Sequence, residues 1–138
     1  MNQPTQPDLS GYDEAGYLSE SGHLKPEFVD SWANAKAVQF GTAQLTKHQM
    51  RAFFNETKRL QTIFRANKDL DALTGKLLGM KAQAYLRRHR KNGIPEEFRR
   101  FIDVNVTKVV SGPAGAEKRF EAFVQHFEAV AAYCEGRL

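Results

Sequence analysis

The chain has 138 residues, 41% of them hydrophobic, with 20 basic and 16 acidic side chains and a net charge of +4. That length and composition fit one domain with a substantial core and exclude a wholly disordered chain. The single cysteine, Cys134, excludes an internal disulfide framework and a cysteine-rich zinc site, and no apolar run reaches the roughly 18–20 residues that span a bilayer.

Residues 1–23 are rich in Pro, Gly, Ser and acids and have no sustained apolar period, so they read as a flexible acidic tail, disordered or docked on a partner. They also lack the basic-then-apolar order of a signal peptide, which makes a cytoplasmic protein the expectation. Residues 24–138 read as a single helical domain. Pro26 suits the first turn of a short helix anchored by Phe28, Val29 and Trp32, with Gly41 as its stop.

The second helix has a capping-box signature in Thr46 and Gln49. At about 100° per residue, Met50, Phe53, Phe54, Thr57, Leu60 and Phe64 share one arc and predict a core-facing stripe. Lys47, Arg51, Lys58 and Arg65 fall in a separate arc and make a basic line along one flank, with Arg59 in the same segment. Asn67 or Asp69 can cap a third helix with a core stripe of Leu70, Leu73, Leu77, Met80 and Ala84. Its neighbouring flank carries Lys76, Gln83, Arg87 and Arg90, and it closes on "RRHRKNG", with Arg88 and Lys91 adding charge before an Asn92-Gly93 stop. Pro95, Glu96 and Glu97 open a fourth helix with Phe98, Phe101, Ile102, Asn105 and Val109 inward. After a break at Ser111-Gly112-Pro113, a fifth helix places Phe120, Phe123, Val124, Phe127, Val130, Ala131 and Cys134 at helical spacing. The fold class expected is all-α, a compact bundle of about five helices.

Charge is segregated along this order. Residues 42–92 hold 12 bases and 3 acids, a net of +9, whereas residues 1–41 carry a net of −4 and residues 93–138 a net of −1. A row of Lys and Arg on a rigid helix can meet successive phosphates, and each neutralised phosphate releases counterions. Basic flanks on two adjacent helices therefore predict nucleic-acid binding through the backbone, since no zinc finger, RNP aromatic pair or GXXG loop is present. A second reading is enzymatic. In "RFEAFVQH", Arg119 and His126 stack on one helix face, which resembles the motif of the HEPN metal-independent ribonucleases; that resemblance implies His126 as general acid/base and Arg119 as transition-state stabiliser. A third is a stand-alone basic nucleic-acid-binding protein. The four histidines show no metal-ligand spacing, and no cofactor motif is present.

Three segments carry a broader resemblance: "LTKHQMRAFFNETKRLQ" (Leu45 to Gln61), "LLGMKAQAYLRRHR" (Leu77 to Arg90) and "RFEAFVQHFEAVAAYCEG" (Arg119 to Gly136). Together they resemble the small subunit of type III-A CRISPR effector complexes, the Csm complexes, over roughly residues 27–136. The resemblance implies a non-catalytic helical bundle present in several copies, packed against other Csm subunits and against further copies of itself. It also implies contact with guide and target RNA, at Lys47, Arg51, Lys58, Lys81 and Arg87, with Arg88 and Arg90 beside them. Joined to the two basic flanks, the candidate RNA-binding set is Lys47, Arg51, Lys58, Arg59, Arg65, Lys76, Lys81, Arg87, Arg88, Arg90 and Lys91, with no catalytic and no metal residue.

Overall fold

Thr46 begins the longest helix as its sequence predicts: its hydroxyl accepts the Gln49 amide at 3.1 Å while the Gln49 side chain accepts the Thr46 amide at 3.0 Å. The computed structural model describes residues 8–138. A 3-10 turn at Pro26–Phe28 precedes five helices: α1 (Ser31–Thr42), α2 (Lys47–Asn67), α3 (Leu70–Arg88), α4 (Glu96–Val109) and α5 (Ala116–Cys134). Among the described residues there is no strand beyond an isolated antiparallel bridge between Leu18 and Leu24.

The expected boundaries shift at two places. The helix expected from Pro26 breaks at Asp30 into the 3-10 turn and α1, and Gly41 lies inside α1 rather than ending it. There its missing side chain leaves room for the Arg137 backbone, 3.4 Å from where a Cβ would stand. At the other place, α3 stops at Arg88, three residues before the expected end. Asp69 is its cap, accepting the Ala72 amide at 3.0 Å. The β-branched run "VNVTKVV" is helical in α4, because Val106 and Val109 complete the buried face begun by Phe98, Phe101 and Ile102.

Helix α5 packs against α1, α2 and α4, and α3 lies at the edge, against α4 and α2. Buried side chains on α5 therefore point in several directions: Phe120, Phe123, Val124, Phe127, Val130 and Cys134 are all enclosed. The aromatic centre meets mostly edge-on, as ring quadrupoles favour; Phe40 packs on Phe98 at 5.3 Å and Phe101 on Phe127 at 5.1 Å between centroids. Cys134 behaves as a small hydrophobe, and burial pushes its thiol up to about 11.

The segment before the 3-10 turn departs from the sequence reading. Residues 8–23 are strapped across α1, α4 and α5 by Tyr12 and Tyr17, each 1% exposed. Residues 1–7 lie outside the described residues. Asn105 on α4 donates from Nδ2 to the Tyr12 hydroxyl at 3.0 Å and accepts the Tyr17 hydroxyl on Oδ1 at 2.5 Å. The Tyr12 hydroxyl is then free to donate to His126 Nε2, 2.7 Å away. The other ring nitrogen of His126 lies 2.5 Å from the Phe28 carbonyl, so it carries the proton. Lys108 donates to the Tyr12 carbonyl at 2.7 Å, and the ammonium groups of Lys36 and Lys108 sit 4.5 and 4.7 Å from the Tyr12 ring centre. Burial brings both lysines down to about 8. Both tyrosine hydroxyls are answered, which is the condition for keeping them in an apolar core.

Candidate nucleic-acid interface

Helices α2 and α5 run antiparallel, and the basic line of α2 meets an acidic line on α5. Lys68 reaches Glu117 at 2.9 Å, Arg65 reaches Glu121 at 2.8 Å and Lys58 reaches Glu128 at 2.6 Å. Lys47 and Arg51 both approach Glu135, at 3.5 and 3.7 Å. Arg59 turns back onto Glu56 within its own helix, at 2.7 Å, and that guanidinium holds the Glu56 carboxyl below its ordinary range. All five candidate bases on α2 are thus answered by carboxylates of the same chain. The two basic flanks do not converge into one free groove, because the α2 line turns to α5 while the α3 flank turns to α2. These exposed pairs register two helices but contribute little to stability, since water screens them.

The remaining candidates divide. Lys81 bridges α3 to Asp103 of α4 at 3.0 Å, and Arg88 lies 3.7 Å from Glu96. Among the described residues, Lys76, Arg87, Arg90 and Lys91 form no ion pair. Lys76 and Arg87 line a groove of about 540 Å³ between α2 and α3, with Arg59, Glu56 and Gln83 also on its walls and Phe53 and Met80 beneath. Arg87 rests its guanidinium carbon 5.5 Å from the centre of the Phe53 ring, and its buried Nε has no hydrogen-bond partner. From Lys76 to Arg87 the flank runs about 17 Å at 1.5 Å per residue. The positive charge left over in the middle third therefore sits on one edge of the bundle, along α3 and the turn that follows it.

The groove is open because α3 carries glycine at 75 and 79, one helical turn apart, and a Cβ at either would meet nothing within 4 Å. Interior helical glycine is less favourable than alanine by about 1 kcal/mol. Gly75→Ala is accordingly expected to raise the thermal midpoint by a few degrees; a fall would mean that the helix needs the glycine for its own packing.

The ribonuclease-like pair does not form a site. His126 is 0% exposed, with both ring nitrogens engaged inside the core, and burial drives it down to about 3, so it is a neutral structural group. Arg119 turns away from it to tie the end of α4 to the following loop. Its guanidinium donates to the Val109 carbonyl at 3.0 and 3.2 Å and to the Ala114 carbonyl at 2.8 Å, and also reaches the Gly112 carbonyl. A cation over the last carbonyls of a helix is favoured by the helix dipole. Among the described residues no three His, Cys, Asp or Glu side chains converge as a metal site, and no helix is long and apolar enough to cross a membrane.

A family model described as Csm2 Type III-A matches residues 23–135. The chain belongs to the Csm2 family. It is a small subunit of the type III-A Csm complex, and its partners include the other subunits of that assembly. No curated protein and no solved structure matches the chain. The matched span holds all five helices and every candidate cation, whereas Tyr12 and Tyr17 precede it. The Csm2 signature therefore covers the bundle and omits the strap that completes its core.

Two features escaped the sequence reading. The acids of α5 were visible, since Glu121, Glu128 and Glu135 recur every seven residues, and the same arc logic applied to them would have placed them opposite α2. The free status of Lys76, Arg87, Arg90 and Lys91 depends on which helices pack together, and no single-helix pattern contains that.

Proposed function

We propose that this Csm2-family chain is a non-catalytic, RNA-contacting structural subunit that works in the cytoplasm, alongside further copies of itself. Its contact with guide and target RNA runs through the edge formed by α3, with Lys76 and Arg87 on the groove and Arg88, Arg90 and Lys91 at the helix end. The supporting observation is the uneven answering of charge: every candidate base of α2 has a carboxylate partner, whereas four cations on and after α3 have none among the described residues. Such cations can neutralise phosphate without abandoning an existing partner, and they read charge and geometry while guide pairing supplies sequence.

Binding of a single-stranded RNA across a salt series tests this. Lys76→Ala and Arg87→Ala are each expected to flatten the dependence of log K on log salt by about 0.7. Arg51→Ala, which removes only a ladder contact, leaves the slope unchanged. The reverse pattern, with Arg51 moving the slope and Lys76 and Arg87 silent, overturns the assignment.

A further inference from the structure

Tyr85 is the most exposed large apolar side chain of the described residues, 58% exposed, on the side of α3 away from the core. One turn later, His89 is also exposed, and the two rings lie 4.6 Å apart between centroids with planes tilted by 56°. The pair is not spent on the fold: the Tyr85 hydroxyl forms no hydrogen bond within the described chain, and neither residue contributes to the core. It stands in "YLRRHRK", where, among the described residues, Arg87, Arg90 and Lys91 have no acidic partner and Arg88 has only the 3.7 Å approach to Glu96.

Exposed aromatic faces set among unanswered cations suit an unpaired nucleotide. Each base has a π-face that stacks on Tyr, His or Arg without regard to sequence, while Lys and Arg hold the adjoining phosphates. The neighbouring Leu86, also exposed, would equally suit a protein surface. Tyr and Arg are enriched at protein interfaces too, so the unanswered charge decides: four cations fall within the seven residues from Tyr85 to Lys91, and among the described residues only Arg88 has a carboxylate within reach, at 3.7 Å, which suits a polyanion.

We propose that Tyr85 and His89 form a stacking platform for an unpaired base of single-stranded RNA at the basic end of α3. The proposal rests on the RNA-contacting reading above and adds to it a preference for unpaired over duplex RNA.

The test uses the full chain with a fluorescent oligouridylate and, in parallel, an RNA duplex of matched length. Tyr85→Leu is expected to weaken oligouridylate binding about tenfold. Duplex affinity, the salt slope and the thermal midpoint stay as in the wild type, because an exposed uncharged ring is removed. Tyr85→Phe, which keeps the π-face, restores wild-type affinity. If Tyr85→Leu binds oligouridylate like the wild type while Lys76→Ala still flattens the salt slope, the platform is wrong and the phosphate-contacting edge stands. If the wild type binds neither RNA at low salt, both fall. If Tyr85→Leu leaves RNA affinity intact but changes the sedimentation of the chain, the surface belongs to a protein contact and the platform is overturned.

Discussion

Tyr12→Ala is expected to destabilise the chain by about 3–5 kcal/mol, the range for truncating a large buried aromatic side chain. The measurement is the urea midpoint against wild type. The loss has two parts. The ring vacates a space bounded by Phe28, Trp32 and His126, whose ring centres lie 5.9, 5.6 and 5.5 Å from its own. Loss of the hydroxyl also leaves His126 Nε2 without its donor in an enclosed place, and Asn105 Nδ2 keeps the Phe101 carbonyl as acceptor for one of its two hydrogens. Tyr12→Phe separates the two, keeping the ring and deleting the hydroxyl, and is expected to cost about 1–3 kcal/mol. A neutral Tyr12→Ala would show that residues 8–23 do not bind the bundle in solution.

Acid is expected to unfold the protein through the same network. His126 is held down to about 3 in the folded chain, chiefly by burial, with the nearby Lys108 and Lys36 acting in the same direction and the Phe28 carbonyl opposing them. In the unfolded chain it titrates near 6.5. Between those values the unfolded state binds a proton that the folded state refuses, so stability is full above about pH 6.5 and falls as pH drops toward 3. The slope approaches about 1.4 kcal/mol per pH unit, a loss of about 2 kcal/mol by pH 5. Most carboxylates contribute only below that, so the window from pH 6.5 to 5 reports His126. His126→Gln, compared with its own stability at neutral pH, is expected to flatten that window; a wild-type profile already flat there would mean that the imidazole is not enclosed.

The helices were legible because their signals are local. Thr46 with Gln49, Asp69 before an apolar period, and Pro95 with two following acids each specify a start within four residues, and the stripes they open are the buried faces observed, with Phe54 and Leu70 half-covered at their margins. The strap was not legible. Tyr12 and Tyr17 are isolated anchors in a segment of turns, so no period marks them, and the surrounding Pro, Gly, Ser and acids carry the composition of a disordered region. His126 looked chemical for a related reason. Its place on the arc beside Phe123 and Val130 was visible, but the tyrosine that engages it comes from more than a hundred residues away. The basic line of α2 is legible within one helix, but the carboxylates it meets are not, because they lie on a helix more than fifty residues later.

The ladder between α2 and α5 gives the molecule an electrical front and back. Along that seam opposite charges cancel, so little field reaches solvent there, whereas Lys76, Arg87, Arg90 and Lys91 stand unanswered together on or just beyond α3 among the described residues. A polyanion several ångströms away therefore exerts a torque as well as a pull, turning α3 toward itself before any side chain touches it. Each copy would enter an assembly already facing the right way, and dissolved salt would blunt that steering before it loosened the finished contact.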